Sequence, residues 1–276
     1  MKEQWRLLQT GFDTAFSNMA IDRAILVANS KDKVPPTVRF YGWNPPAISL
    51  RYFQSVSEEI DVNICKKLGV DYVRRITGGR AILHTDELTY SVIGPQGEPL
   101  FAGGVLESYL RLSRALLNAV SRLGVQAQAE EKNSNTNVDH QKHDPICFEV
   151  PSKYEITVHR KKLIGSAQAR KKMGILQHGT LPLYGDLARI LDVLHDPNGK
   201  TLEDESRLKI LDRATTVERS VGRRLTWENV ARIFILAFEE TLNLSFIESE
   251  LTPDELERVS TLMDEKYSSP HWTDRI

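Results

Sequence analysis

Between Tyr154 and Leu183 the chain has room for strands and tight turns and for little else. Tyr154, Ile156 and Val158 alternate with Glu155 and Thr157, the period-two pattern of a half-buried strand. His159-Arg-Lys is a turn, Lys162 to Arg170 reads as the returning strand, and Gly174 to Leu183 supplies a further hairpin arm. Connections this short join antiparallel neighbours, because a parallel pair needs a crossover of about a dozen residues or more. Other strand-like runs lie at Trp5 to Leu8, Thr37 to Tyr41, Ala47 to Tyr52, Tyr72-Val73 and Leu88 to Ile93. Strands therefore outnumber what a βαβ succession would give. The expected class is α/β of the α+β kind, a mixed, largely antiparallel sheet flanked by helices.

Helical patterns fall between these runs. Phe16 to Val27 carries an apolar stripe, with Ser17 or Asn18 as its cap. Glu58 to Leu68 ends at Gly69, and Val105 to Leu123 is amphipathic and ends at Gly124. Asp186 to Leu194 suggests another helix. Thr226 caps a strong one that carries Trp227, Val230, Phe234 and Phe238, and Thr252-Pro253 opens the last.

The composition excludes several functions. With 41% hydrophobic and 26% charged residues the chain can bury a sizeable core, and a net charge of −1 gives no basic field for nucleic acid. The two cysteines, Cys65 and Cys147, make no disulfide framework, which suits a reducing compartment. Cys65 sits among apolar helix residues and reads as a small core hydrophobe. There is no signal-peptide core at Met1 to Trp5 and no apolar run long enough to span a bilayer, so a cytoplasmic protein without membrane contact is expected.

Chemistry concentrates in two stretches. The first runs from Tyr72 to His84, where two adjacent glycines interrupt a segment carrying Arg74, Arg75, Arg80 and His84. Glycine permits positive φ and close approach of a ligand to the backbone, and arginine brings fixed forks of donors for carbonyl, carboxylate or phosphate oxygens. Such a loop suits a polar acyl head group or a phosphate. It is equally readable as a tight hairpin with solvated arginines. It is neither a P-loop nor a dinucleotide fingerprint, lacking the Gly-Lys-Ser/Thr of one and the third glycine of the other. Trp43, in a turn, is either a pocket wall or an aromatic closing the core.

The second stretch is Pro145-Ile-Cys147-Phe-Glu-Val-Pro151, directly after a polar segment too hydrophilic for a core. His140, His143 and Cys147 offer three spaced ligands without an obvious fourth, so surface histidines and no metal site are expected. A reactive Cys147 needs help, because a free thiol is only a few per cent ionised at neutral pH. Lowering its pKa from about 8.5 by about two units corresponds to roughly 2.7 kcal/mol of preference for the thiolate. Lys162 is the candidate ammonium, although hairpin pairing alone does not set it against Cys147.

Arg74-Arg-x-Thr-Gly-Gly-Arg-x-x-x-His84 resembles the signature loop of the lipoate-protein ligase, biotin-protein ligase and octanoyltransferase superfamily, and Arg-Phe-Tyr-Gly-Trp-Asn-Pro ahead of it is similar too. Cys-Phe-x-x-Pro-Ser-x-Tyr-Glu followed by Lys-x-x-Gly-Ser-Ala-Gln-x-Arg resembles octanoyltransferases of the LipM type. In that type the cysteine forms an acyl thioester and the lysine fifteen residues later lowers its pKa, which here implies Cys147 and Lys162. The resemblance implies the biotin/lipoate ligase catalytic fold over residues 35–248, with residues 1–34 as an N-terminal strand and helix of the same fold and 249–276 as a helical extension. It implies octanoyl transfer from octanoyl-acyl carrier protein to a specific lysine of a lipoyl domain, that of the glycine cleavage H protein or a dehydrogenase E2. No cofactor is implied beyond the donor's own phosphopantetheine, and a monomer is expected. Arg75, Thr77, Gly78, Gly79, Arg80 and His84 would frame the acyl group. Gly165, Ser166, Ala167, His178, Gly179 and Thr180 would complete the pocket, with His178 either structural or catalytic. Three alternatives stay open: an ATP-dependent lipoate ligase, a lipoyl-domain amidotransferase, and a non-catalytic acyl- or lipoyl-domain-binding protein.

Overall fold

The computed structural model describes residues 2–131, 154–195 and 204–275. In chain order its elements are β1 (Glu3–Asp13), α1 (Ala15–Asn29), β2 (Thr37–Trp43), β3 (Ala47–Leu50), α2 (Val56–Glu59), α3 (Val62–Leu68), β4 (Asp71–Arg74), β5 (Ile82–His84), β6 (Glu87–Gly94), α4 (Val105–Arg122), β7 (Gln128–Glu131), β8 (Tyr154–Val158), β9 (Lys161–Lys171), β10 (Gly174–Pro182), α5 (Asp204–Arg213), α6 (Val217–Val221), α7 (Trp227–Thr241), β11 (Leu244–Glu248), α8 (Pro253–Leu262) and α9 (Pro270–Thr273).

The succession of hairpins builds one half of an eight-stranded sheet in the order β11-β1-β2-β6-β10-β9-β8-β7. β2, β6, β10, β9, β8 and β7 pair antiparallel in turn, while β1 runs parallel to both β11 and β2. The sheet is therefore mixed and largely antiparallel. A second, three-stranded sheet has the order β4-β3-β5.

Period-two alternation sorts the large sheet's side chains onto two cores. Val38 and Phe40 of β2, with Leu88, Tyr90 and Val92 of β6, join α4 and α7 on one face. Tyr41, Ile93 and Leu176 face α1 and α8 on the other. The small sheet closes a third cluster that includes Ile48, Leu50 and the buried Cys65, which packs as a core hydrophobe. α8 is tied to β1 by Arg6, whose guanidinium donates to both Glu255 carboxylate oxygens at 2.8 and 2.6 Å inside the protein. Among the described residues, no helix is long and apolar enough to cross a membrane.

Four local expectations change. Thr14, not Ser17 or Asn18, caps α1 by accepting from the Ser17 amide. The single helix expected over 58–68 is two, because Ile60 is extended (φ −132°, ψ 148°) and buried against Leu194 while Asp61 caps a fresh start by accepting from Asn63 and Ile64. Asp186 to Leu194 is only a short 3-10 turn, Leu187–Asp192. The strand from Tyr154 is not half-buried: Glu155 is 3% exposed and Thr157 1%, so its polar face is covered as well.

Candidate acyl-binding site

The arginines of the loop between β4 and β5 are not solvated. Arg74 is fully buried and donates to the carbonyls of Arg51, Tyr52 and Gln54 on one side and of Trp272 and Thr273 on the other. Arg75 is buried too. Its guanidinium donates to the Ser49 carbonyl and hydroxyl, to the Gly78 carbonyl at 2.9 Å and to the Arg80 carbonyl at 2.6 Å, and so folds the glycine loop around itself. Gly79 has to be glycine. It sits at φ +94°, and a β-carbon there would lie 2.9 Å from Arg75 Nη2.

The loop is pinned to the large sheet by Thr77, whose Oγ1 lies 2.7 Å from His178 Nε2. Beneath His178 is a buried polar knot. Arg39 donates to Asp22 Oδ1 at 2.8 Å, to the Asn18 side-chain and main-chain oxygens at 2.6 and 3.1 Å, and to Thr10 Oγ1 at 2.9 Å. Ser91 and Tyr41 also donate to the Asp22 carboxylate. Burial alone would raise the Asp22 pKa, but Arg39 and His178 outweigh it and hold the carboxyl below its usual range.

A second ring of contacts fixes His84. Its Nδ1 lies 2.6 Å from Glu87 Oε1, its Nε2 2.7 Å from Ser49 Oγ, and its ring stacks on Trp43 at 4.0 Å and 13°. Thr89 donates to Glu87 and accepts from the Trp43 indole at 2.8 Å. Trp43 both lines the cavity and closes the core.

Arg75, Gly79, His84, Gly165, Ser166, Ala167, His178, Gly179 and Thr180 line one cavity between the glycine loop and the large sheet. Its floor is kept thin by Gly179, where a β-carbon would come within 2.5 Å of the Gly165 carbonyl oxygen and 2.7 Å of Ser166 Oγ. Register orders the floor as Gly165 of β9, Thr180 of β10, Thr89 of β6 and Tyr41 of β2, so the cavity runs across the strands. Thr77 and Gly78 hold the roof, and the main chain of Arg80 accepts from Arg75. Lys162 lies just outside the β9 end, buried, with its Nζ 3.0 Å from Glu155 Oε1 and its side chain against Gly165. Cys147, His140 and His143 lie outside the described residues.

The sequence reading missed Asp22, Arg39, Ser49, Glu87, Thr89 and Glu155. An arginine inside the apolar alternation of Val38 and Phe40 was the available signal for the Asp22 knot. A carboxylate and a lysine on facing hairpin arms, diagonal across the turn, was the signal for Glu155.

His178 gives the site a measurable pH response. Burial holds its imidazole below the ordinary range, against the pull of Asp22, whose Oδ2 lies 3.6 Å from Nδ1. Below about 6.5 the unfolded chain binds a proton that the folded one declines, so this histidine contributes stability that is lost as pH falls. Glu98, raised to about 7 chiefly by burial, acts in the opposite sense, losing its contribution as pH rises. His178→Gln leaves Glu98 in place, so the stability difference between wild type and variant isolates the histidine. In urea titrations that difference shrinks, or reverses in the variant's favour, from about pH 7.5 to about pH 5. A pH-independent difference would contradict the buried neutral imidazole.

Comparison with known proteins agrees with this geometry. The model of the lipoyl protein ligase A/B catalytic domain matches residues 14–239. The octanoyltransferase LipM of Moorella thermoacetica is 40% identical over 99% of this chain and 98% of its own, and that of Bacillus subtilis 36% over 98% of each. Among solved structures, a bipartite lipoate protein ligase of Thermoplasma acidophilum superposes with a TM-score of 0.79 at 26% identity, covering 99% of this chain and 96% of that one. A putative lipoate protein ligase from the same organism, with bound lipoic acid, gives 0.77 at 27% over the full length of both. The chain belongs to the lipoyl protein ligase A/B catalytic family and, within it, to the octanoyltransferases of the LipM group.

Proposed function

We propose that the protein moves an octanoyl group from octanoyl-acyl carrier protein to a lysine of a lipoyl-domain protein, by way of a thioester on Cys147. The observation that carries the reading is the buried Lys162 at one end of the cavity, in a chain whose full-length relatives are octanoyltransferases. In the first step the Cys147 sulfur forms a bond to the acyl carbon and the carbon–sulfur bond to phosphopantetheine breaks, its thiolate taking up the proton that Cys147 gave up. One thioester replaces another, so no nucleotide is consumed. In the second step the acceptor lysine's amine forms the amide, the Cys147 thioester breaks and one amine proton is released. Lys162 stabilises the thiolate in both resting and departing forms.

Relatives of known structure include lipoate protein ligases, one of them bound with ATP, which makes ATP-dependent ligation the competing reading. The two separate in one assay. Octanoyl-acyl carrier protein without ATP, or octanoate with ATP, is offered with a purified lipoyl domain. Modification of the lipoyl domain in the first mixture supports transfer, and modification only in the second makes the protein a ligase.

A further inference from the structure

Two ionisable side chains are buried together beside the cavity, and the mechanism above uses only one of them. Glu155 of β8 and Lys162 of β9 face each other across the hairpin with their side chains 3% and 7% exposed and their charged atoms 3.0 Å apart. The main chain fixes the lysine from two sides. Lys162 pairs with Ala214, and its carbonyl accepts from the Thr215 amide at 3.0 Å. Lys161 points elsewhere, donating to the Leu211 carbonyl near Asp212, so it cannot stand in for its neighbour. The Lys162 chain lies against Gly165, where a β-carbon would meet its Cε at 3.3 Å, so the absence of a side chain at 165 leaves the ammonium its place beside the cavity floor.

We infer that Glu155 is the positioning residue for Lys162: it keeps the ammonium charged inside the protein and aims it at the acyl end of the cavity. The inference rests on the proposed role of Lys162 and deepens it. A lysine removed from water favours its neutral form, which has no charge to lend a thiolate. A carboxylate at contact distance reverses that preference and fixes the direction of the side chain. Among the described residues, Tyr109, Tyr90 and Arg213 near the pair bring no negative charge of this kind. Tyr109 of α4 is held un-ionised by burial, with Tyr90 and then Glu155 adding to the upward push, and Tyr90 of β6 is raised to about 12. Arg213 of α5 precedes the bridging Ala214 and brings positive charge only.

The test is the pH dependence of octanoyl loading from octanoyl-acyl carrier protein, followed by quenched-flow intact-mass measurement from about pH 6 to about pH 9.5, a range that spans an ordinary thiol pKa. Wild type, Glu155→Gln and Glu155→Asp are compared, each checked for folding by circular dichroism. In Glu155→Gln the acid limb moves up by about one unit, loading falls about threefold at pH 7 and more steeply below it, and the rates converge with wild type near pH 9. Glu155→Asp, whose shorter carboxylate stays on the same strand, moves the limb by only part of that. A residue that merely supports the strand would lower the rate equally at every pH. An unmoved limb in Glu155→Gln, or in Glu155→Asp should the glutamine variant not fold, overturns the inference while leaving transfer intact. A wild type that never loads overturns the transfer reading and this inference together.

Discussion

Lys162→Met will slow octanoyl loading about 25-fold at neutral pH. The figure is the thiolate fraction lost when a depression of about two pKa units is removed from a cysteine. The same substitution takes from the buried Glu155 the ammonium that lies 3.0 Å from its Oε1. Breaking a buried pair by deleting one member costs about 3–5 kcal/mol, unless the survivor discharges itself. Glu155 can do so by binding a proton, and a carboxyl whose folded pKa is raised loses stability as pH rises. The variant is therefore less destabilised near pH 5.5 than near pH 8 in urea titrations. Single-turnover mass spectrometry reads the first effect. Loading within about threefold of wild type would remove Lys162 from the chemistry, since about 25-fold is what the thiol shift requires at neutral pH.

Arg39→Met carries the largest expected cost to folding. Arg39 and Asp22 are both buried, and the guanidinium also satisfies Asn18 and Thr10. Without it, Ser91 and Tyr41 still donate to Asp22, but the charge has lost its counterion. A loss of about 3–5 kcal/mol is expected, which for a chain of this size lowers Tm by about 10 °C. Replacing both members, Arg39→Met with Asp22→Leu, recovers part of it, because the penalty comes from the orphaned charge rather than from the missing bonds. A single variant that melts within about 2 °C of wild type would show that the knot is not the anchor it resembles. Because His178 bridges this knot to Thr77 of the glycine loop, the single variant also loosens the cavity's roof.

Much of the fold was legible because it rests on local rules. Short turns between alternating runs forced antiparallel pairing over β8, β9 and β10, and the glycine loop announced itself by composition. What escaped depends on contacts distant in sequence. The parallel pairing of β11 with β1 joins residues at the two ends of the chain, and no local pattern encodes it. The split between α2 and α3 was hidden because Ile60 suits a helix and is extended only by being drawn into the core against Leu194. In the candidate site Gly78, Gly79 and His84 were legible from the make-up of their loop, and Gly165, His178 and Gly179 only through the family resemblance. Asp22, Arg39, Glu87 and Glu155 were not. A charged residue in an alternating strand reads as solvent-facing until its partner on another element is known, and here the partners lie on α1, β5 and β9.

The measurement that bears most directly on the proposal is the intact mass of the protein after mixing with octanoyl-acyl carrier protein in the absence of ATP, for wild type and Cys147→Ala side by side. Octanoyl transfer through Cys147 predicts one octanoyl adduct on wild type, removed by hydroxylamine, passed to a lipoyl-domain lysine when that domain is added, and missing from Cys147→Ala. An unmodified wild type, or an adduct that Cys147→Ala still forms, would contradict it.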